Sequence, residues 1–420
     1  MQAQRRVTPT VAALGLCGLA LAGCAVASRE KESKLPPAEV AAFLSDKPER
    51  LHPHYTVLLV QGPRNVVLNH ARAGLAAFEL GAYRVSEESF DQSLLGIEAV
   101  YASSETATKA RQPFVRESYK DFKGEPYERA MAYLYRGLLY LRRGDYENAR
   151  ASFKGGMLQD AFAEEEQHRA DFALLAFMEG WASRCLRNAD LAARSFEEVT
   201  SLRPGFVVPP TDHNVLLVAE TGTAPVKFGD GPRHSLLRYR RGEGFEEDAV
   251  RFVVDGNVYD AFAMEDIYWQ ASTRGGRPVD HILKGKVVFK ETTDTVGKVA
   301  TGIGLVVLDE ALRQHSTTGM IVGGAILLGG LLTQVASAAA RAEADARYWD
   351  NLPDKVHLTT LQLAPGTRTV GVRFVDGARR ELEAMTRTVD VEVSGTCGLG
   401  WTRSRSAIPN DQRAPNSVTE

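Results

Sequence analysis

Side chains able to do chemistry are spread thinly along this 420-residue chain. His52 and His54 flank Pro53, but two imidazoles with no further Cys, His or carboxylate at ligand spacing do not make a metal site. Asp309 and Glu310 are adjacent, so on a helix they point to different sides and make a poor acid–base pair. Gly302-Ile303-Gly304 lacks the third glycine of a dinucleotide-binding turn. Arg238, Arg240 and Arg241 cluster around Tyr239; they read as a solvated strand or as a contact for an anionic glycan or lipid. The sequence contains no nucleophile elbow, no zinc-protease helix, no phosphate loop and no calcium loop. No catalytic residue, metal ligand or cofactor is assigned, and the expectation is a protein that is not an enzyme.

One residue stands in a setting for covalent modification. Arg5 and Arg6 precede an uncharged apolar stretch, 7–22, that closes with Leu21-Ala22-Gly23-Cys24. A basic start, an apolar run and small residues before the cut read as a secretory signal, residues 1–23. With Cys next, the motif resembles the bacterial lipobox, in which that Cys carries lipid and becomes the new N-terminus. Acyl chains contribute about 0.8 kcal/mol per buried CH₂, and stable anchoring needs more than one chain. The expected membrane contact is therefore the lipidated Cys24. Ala25 follows it where an Asp would favour retention in the inner membrane, so the expected location is the outer membrane, facing the periplasm. Cys17 leaves with the signal. Cys185 and Cys397 could pair in an oxidising compartment. Cys185 lies in an apolar helical pattern, however, and the expectation is two separate thiols.

The bulk numbers suit a folded protein. Lys+Arg total 50 and Asp+Glu 53, for a net charge of -3, and 44% of residues are hydrophobic. That excludes a fully disordered chain, a polytopic membrane protein and a collagen-like fibre. The missing basic excess argues against nucleic acid as a partner.

The elements fall into two halves. Residues 24–60, with Pro36, Pro37 and Pro48, read as a lipid anchor and polar tether. Residues 61–205 show helical periodicity. Within them Gly74, Gly137 and Gly180 each precede, by twelve residues, Ser86, Ala149 and Ala192; four further on lie Phe90, Phe153 and Phe196. Pro204 follows the last Phe. These offsets resemble the tetratricopeptide repeat (TPR), a helical hairpin. The Gly is expected to let the helices approach, and the Phe to fill the space between neighbouring hairpins. The copies are unevenly spaced, so insertions separate them, including 98–124. By the same resemblance the first helix of each hairpin lines a groove with Leu68, Leu75 and Phe78, then Met131, Leu134, Leu138 and Leu141, then Leu174, Phe177 and Trp181. A patch this apolar rarely faces water. The chain's own C-terminal half is expected to fill it; the alternative occupant is a partner helix or apolar peptide.

Residues 206–401 change texture. Short β-rich runs at 215–220, 236–239, 250–255, 287–290 and 356–363, with period-two alternation near 370–374 and 389–393, read as a small sandwich-like β unit with helices. The fold class is therefore α+β: TPR-like hairpins, then a smaller β-rich unit. Within the latter, residues 316–340 carry no charge and imply a long apolar helix running to 348. It is expected to be buried against the repeat groove; a membrane span or an oligomer contact are the alternatives. At its end Asp345 and Arg347 form an expected ion pair, with Trp349 and Leu352 closing the core: a structural clasp. Residues 402–420 are polar, with Pro409 and Pro415, and read as a disordered tail.

A wider resemblance rests on the run from Tyr119 through Gly124-Glu125-Pro126-Tyr127-Glu128 to Tyr133-Leu134-Tyr135-Arg136-Gly137. Ala344-Asp345, Arg347, Trp349, Leu352-Pro353 and Leu363-Ala364-Pro365-Gly366 add to it. With these the chain resembles a family of uncharacterised proteobacterial TPR-containing outer-membrane lipoproteins. The resemblance implies an architecture and an envelope location, and no activity. The expected function is a lipid-anchored periplasmic adaptor or scaffold for an envelope protein partner. The alternative is a cell-wall or glycan-binding protein, or an enzyme, acting through the C-terminal unit.

Overall fold

A computed structural model of the chain describes residues 35–102, 121–160, 171–230, 236–273, 344–393 and 395–408. Cys24, the 287–290 run, the Asp309-Glu310 pair and the 316–340 stretch lie outside the described residues. The fold is mixed α+β.

Helices come first in the chain: α1 (Pro37–Leu44), α2 (His52–Val60), α3 (Val66–Glu79), α4 (Tyr83–Ala102), α5 (Pro126–Arg142), α6 (Tyr146–Asp160), α7 (Ala173–Cys185) and α8 (Ala189–Leu202). The chain expected to be a tether is thus helical from residue 37. Pro37 and Pro53 sit at the first turns of α1 and α2, where a missing N–H costs nothing, and Pro48 precedes a short 3-10 turn at Glu49–Leu51. Leu51 and Tyr55 enter the core, and the Tyr55 hydroxyl lies 2.6 Å from Ser89 Oγ.

From α3 to α8 each helix packs on the next, forming three hairpins. Gly81 and Gly144 supply the left-handed residue that turns the first two; Arg187 takes that conformation in the third. α5 starts at a capping box, in which Glu125 N donates to Glu128 Oε2 at 2.7 Å and the Glu125 side chain accepts in return. The Gly–Phe offset has a direct physical reading. A Cβ on Gly74, Gly137 or Gly180 would lie 3.0, 2.2 or 3.0 Å from the ring of Phe90, Phe153 or Phe196. Each Phe therefore lies on the Gly of its own hairpin, not chiefly between hairpins as expected. Phe90 does both, since its ring also stacks on Tyr135 at 5.7 Å.

The β unit has two facing sheets. The strands are β1 (Val215–Thr221), β2 (Val226–Asp230), β3 (Leu236–Arg240), β4 (Glu247–Val254), β5 (Asn257–Asp260), β6 (Phe262–Asp266), β7 (Lys355–Leu361), β8 (Gly366–Asp376), β9 (Arg387–Val393) and β10 (Gly398–Arg403), with the short helix α9 (Ile267–Thr273) after β6. One sheet has the order β10-β1-β7-β6, the other β5-β4-β8-β9; β2 and β3 form a separate hairpin. All pairs are antiparallel except β1 with β10. β1 is buried along its whole length. Val215, Leu217 and Ala219 face the second sheet, while Leu216 and Val218 join the helical core. The protein is thus layered: helices, a sheet buried on both faces, and an outer sheet.

Three further expectations are corrected. Residues 344–348 are irregular, so no helix reaches 348. The tail does not begin at 402: Arg403, Ser404, Ala407 and Ile408 are buried, and Ala407 N donates to Glu79 Oε2 at 2.6 Å. Cys185 and Cys397 form a disulfide, tying the end of α7 to the β9–β10 connection. Spacing in sequence says nothing about such proximity, because it is set by how the sheet packs on the helices.

Candidate functional site

The groove positions are brought together and filled. Leu68, Leu75, Phe78, Met131, Leu134, Leu138, Leu141, Leu174, Phe177 and Trp181 are all buried in one core. Their cover is the chain itself. Phe78 meets Trp401 of β10 at 4.7 Å, Tyr135 meets Trp349 at 5.8 Å, and Phe177 meets Phe206 at 5.7 Å, all edge to face. Met264 and Ile267 complete the same cluster. Strand residues such as Leu216, Val218 and Leu358 and the non-strand residues Phe206 and Trp349 share this core. These ten positions present no open surface to a partner.

The clasp forms as an ion pair. Arg347 Nη2 lies 2.7 Å from Asp345 Oδ2, and Arg347 also donates to Asn65 Oδ1 at 2.8 Å before α3. Trp349 and Leu352 are buried behind it.

Buried charges lie between the layers, some against the helices and some between the two sheets. Glu128 of α5 accepts from Lys227 Nζ at 2.6 Å and from Trp349 N at 2.7 Å. Glu220 of β1 accepts on Oε1 from Tyr135 at 2.8 Å and from Trp401 Nε1 at 3.1 Å; burial raises its pKa, and nearby Arg403 opposes that. Glu247 accepts from Arg405 Nε and Nη2 at 2.7 and 2.8 Å and from Ser404 at 2.6 Å. Burial raises the pKa of Glu247 and these hydrogen bonds lower it more, so it sits below the ordinary value. Arg241 pairs with Asp354 and Asp266. Burial pushes Asp354 up to about 6, and burial pulls His357 down to about 4. Asp354 and His357 have the pKa range of acid–base groups, but both are closed off from water, so no substrate reaches them.

The expected basic cluster is dispersed into ion pairs: Arg241 points inward, Arg238 lies 3.5 Å from Asp230, and Arg240 lies 3.5 Å from Glu243. His52 and His54 turn to different backbone carbonyls, those of Lys47 and Ala407. Among the described residues no group of three His, Cys, Asp or Glu could hold a metal ion, and no helix is long and apolar enough to cross a membrane.

One opening stands out. A cleft of about 510 Å³ lies between α2–α3 on one side and residues 350–352 and 403–408 on the other. Its walls carry Arg72, Arg403 and Arg405, the carboxylate of Asp350, and apolar patches from Val57, Leu352 and Ile408. His54 also lines it; burial lowers its pKa, so it is a neutral wall at neutral pH. The three arginines come from distant parts of the chain, two of them in a stretch that reads as a tail, so no local signal marked the cleft. No protein-family model matches the chain, and neither curated proteins nor solved structures match it.

Proposed function

We propose that this protein is a lipid-anchored adaptor or scaffold of the outer membrane, facing the periplasm, which joins envelope proteins without catalysis. The observation that carries the reading is Leu21-Ala22-Gly23-Cys24 after a basic, apolar start, taken together with the Cys185–Cys397 disulfide. Disulfides persist in oxidising compartments outside the cytosol, where a lipobox would deliver the chain. The three hairpins are read as TPR-like units. Support comes from the same Gly–Phe contact in all three and from their stacking in chain order. Because their inner face is covered by the β unit, partners are expected on the outer helical surface. Leu95 of α4 and Leu158 of α6 stand 62% and 58% exposed there. The likeness to TPR-containing lipoproteins of proteobacteria points the same way.

Two experiments test this. Globomycin, or Cys24→Ala, should block maturation and release the protein from the outer-membrane fraction; unchanged processing and fractionation would refute the anchor. A photocrosslinker at position 95 or 158 should capture a discrete protein partner in intact cells. Capture only from position 258 of β5, an exposed site on the β unit, would move the interaction surface off the helices.

A further inference from the structure

We propose that β7 accepts an added strand: an extended peptide segment of a protein partner pairs with its edge at 359–361, in the slot between that edge and the 205–209 loop. This is a second surface, apart from the outer helical face, and it stands independently of the lipid anchor.

The topology leaves this edge open. On one side β7 pairs with β1 through Leu361. On the other side its pairing with β6 stops at Leu358, which lies opposite Phe262. The cause is just upstream of β6. Asp260 still pairs with Arg251 of β4, and Ala261 N donates to Val250 O. The chain therefore belongs to the outer sheet up to 261 and crosses to the buried sheet only at Phe262. Among the described residues no strand lies beside 359–361 on that side. The Thr360 hydroxyl is taken by His213 Nδ1 at 2.8 Å, so what the edge offers is main chain. Main-chain donors and acceptors along a strand edge are a template for a further strand, and another extended backbone is what matches their spacing.

The slot also selects the residue that enters it. Its volume is about 200 Å³. That is below the roughly 300–1,000 Å³ of small-molecule sites, so it has room for a side chain and not for a free ligand. Phe206, Pro209, Phe262 and Leu358 give it apolar walls. Side chains alternate between the two faces of a sheet. Leu358 lies opposite Val218 and Thr360 opposite Leu216, and both of those partners face the helices. A residue added opposite Thr360 would share the face of Phe262, whose ring meets Phe206 at 5.4 Å, and it should be apolar. The far wall is fixed in advance, because Arg184 donates to Pro210 O at 2.8 Å and to Pro209 O at 2.9 Å. A slot formed before the peptide arrives spares the cost of ordering it. Val207 stands 79% exposed on the same wall, an apolar side chain in water that a bound strand would cover.

The test pans a phage-displayed random heptapeptide library on the full-length protein in detergent. The expected result is enrichment of peptides that lack proline and carry an apolar residue between polar ones. A fluorescein-labelled synthetic copy of the best peptide should then bind saturably, as read by anisotropy. N-methylation of alternate residues is the diagnostic. Methyl groups on the set whose N–H groups face β7 should weaken binding about tenfold or more, and those on the other set should change it less than about twofold. Val207→Glu, at an exposed position that the fold tolerates, should weaken binding by about tenfold as well. Absence of any enriched peptide would overturn the proposal, as would equal effects of the two methylated sets or wild-type affinity in Val207→Glu. Sedimentation equilibrium tests the remaining occupant: a dimer that Val207→Glu dissociates would assign the edge to a second copy of this chain and overturn the proposal too.

Discussion

Lys227 and Glu128 pair almost out of contact with water, and each is fixed by more than the other. Glu128 also caps α5 and receives Trp349 N, so one carboxylate joins a helix start, β2 and the 349–352 segment. Lys227→Met removes the cation and leaves that carboxylate buried. Stability should fall by about 3 kcal/mol, the low end for a broken buried pair because two backbone donors remain. Adding Glu128→Gln should recover part of the loss, as read from urea midpoints in a double-mutant cycle. Titration gives a second prediction at this scale. His357 and His70 are both held near 4 by burial, against an ordinary 6.5. Between pH 6.5 and 4 the unfolded chain binds protons that the folded chain refuses, so stability is lost as pH falls through that window. Asp354, raised to about 6, acts the other way, since its burden is relieved as pH falls. With two histidines against it, the urea midpoint should be lower at pH 4.5 than at pH 6.5. His357→Gln should remove roughly 2 kcal/mol of that difference; an unchanged pH profile would refute the assignment. The surroundings of Lys227, Asp354 and His357 were not legible in the sequence, because their partners Glu128, Arg241 and Thr221 lie about a hundred or more positions away.

The hairpins are the elements whose logic could be read early. Their Gly–small–Phe offsets are set by helix geometry, which repeats locally and needs no knowledge of the rest of the fold. What the offsets did not reveal is where each Phe goes, since a ring sixteen residues along can face either its own hairpin or the next. The contacts rank the three glycines, with Gly137 the tightest at 2.2 Å from Phe153. Gly137→Ala gains about 1 kcal/mol of helix propensity but forces a methyl into that ring. The net effect should be a loss of about 1–3 kcal/mol, measured by thermal or urea unfolding. Phe153→Leu in the same chain should recover part of it; additive losses would mean that the ring is not what meets the methyl. The strands were legible where they alternate or run apolar, as in β1, β8 and β9. β10 was not, because Gly398-Leu399-Gly400-Trp401-Thr402-Arg403 has neither pattern. Its glycines instead admit close neighbours: a Cβ on Gly400 would lie 2.7 Å from Val391 and 2.8 Å from Leu217.

At the scale of the molecule, the apolar groove and the β unit are two halves of one core. The groove positions are buried under β-unit residues such as Leu216, Val218 and Trp401, while the 316–340 stretch lies outside the described residues. Periodicity describes a surface and leaves its occupant open. The Cys185–Cys397 bond fastens the two halves at one end. Cys185→Ser with Cys397→Ser should lower stability by about 2–5 kcal/mol under oxidising conditions, and the gap should close in a reductant. A variant with the melting temperature of wild type would show that packing alone fixes the layers.

The parallel pairing of β1 with β10 bears on how the chain reaches this state. The strand at the centre of the buried sheet is made about 180 residues before its neighbour, and the hairpins earlier still. Until residue 403 has been synthesised and delivered, one side of β1 has no hydrogen-bonding partner, and part of the hairpins' Leu- and Phe-lined face lacks its cover. Long-range pairings of this kind form late and slowly. A ribosome releasing this protein, or a membrane pore threading it, would hand over an intermediate that must be shielded from aggregation until the last strand arrives.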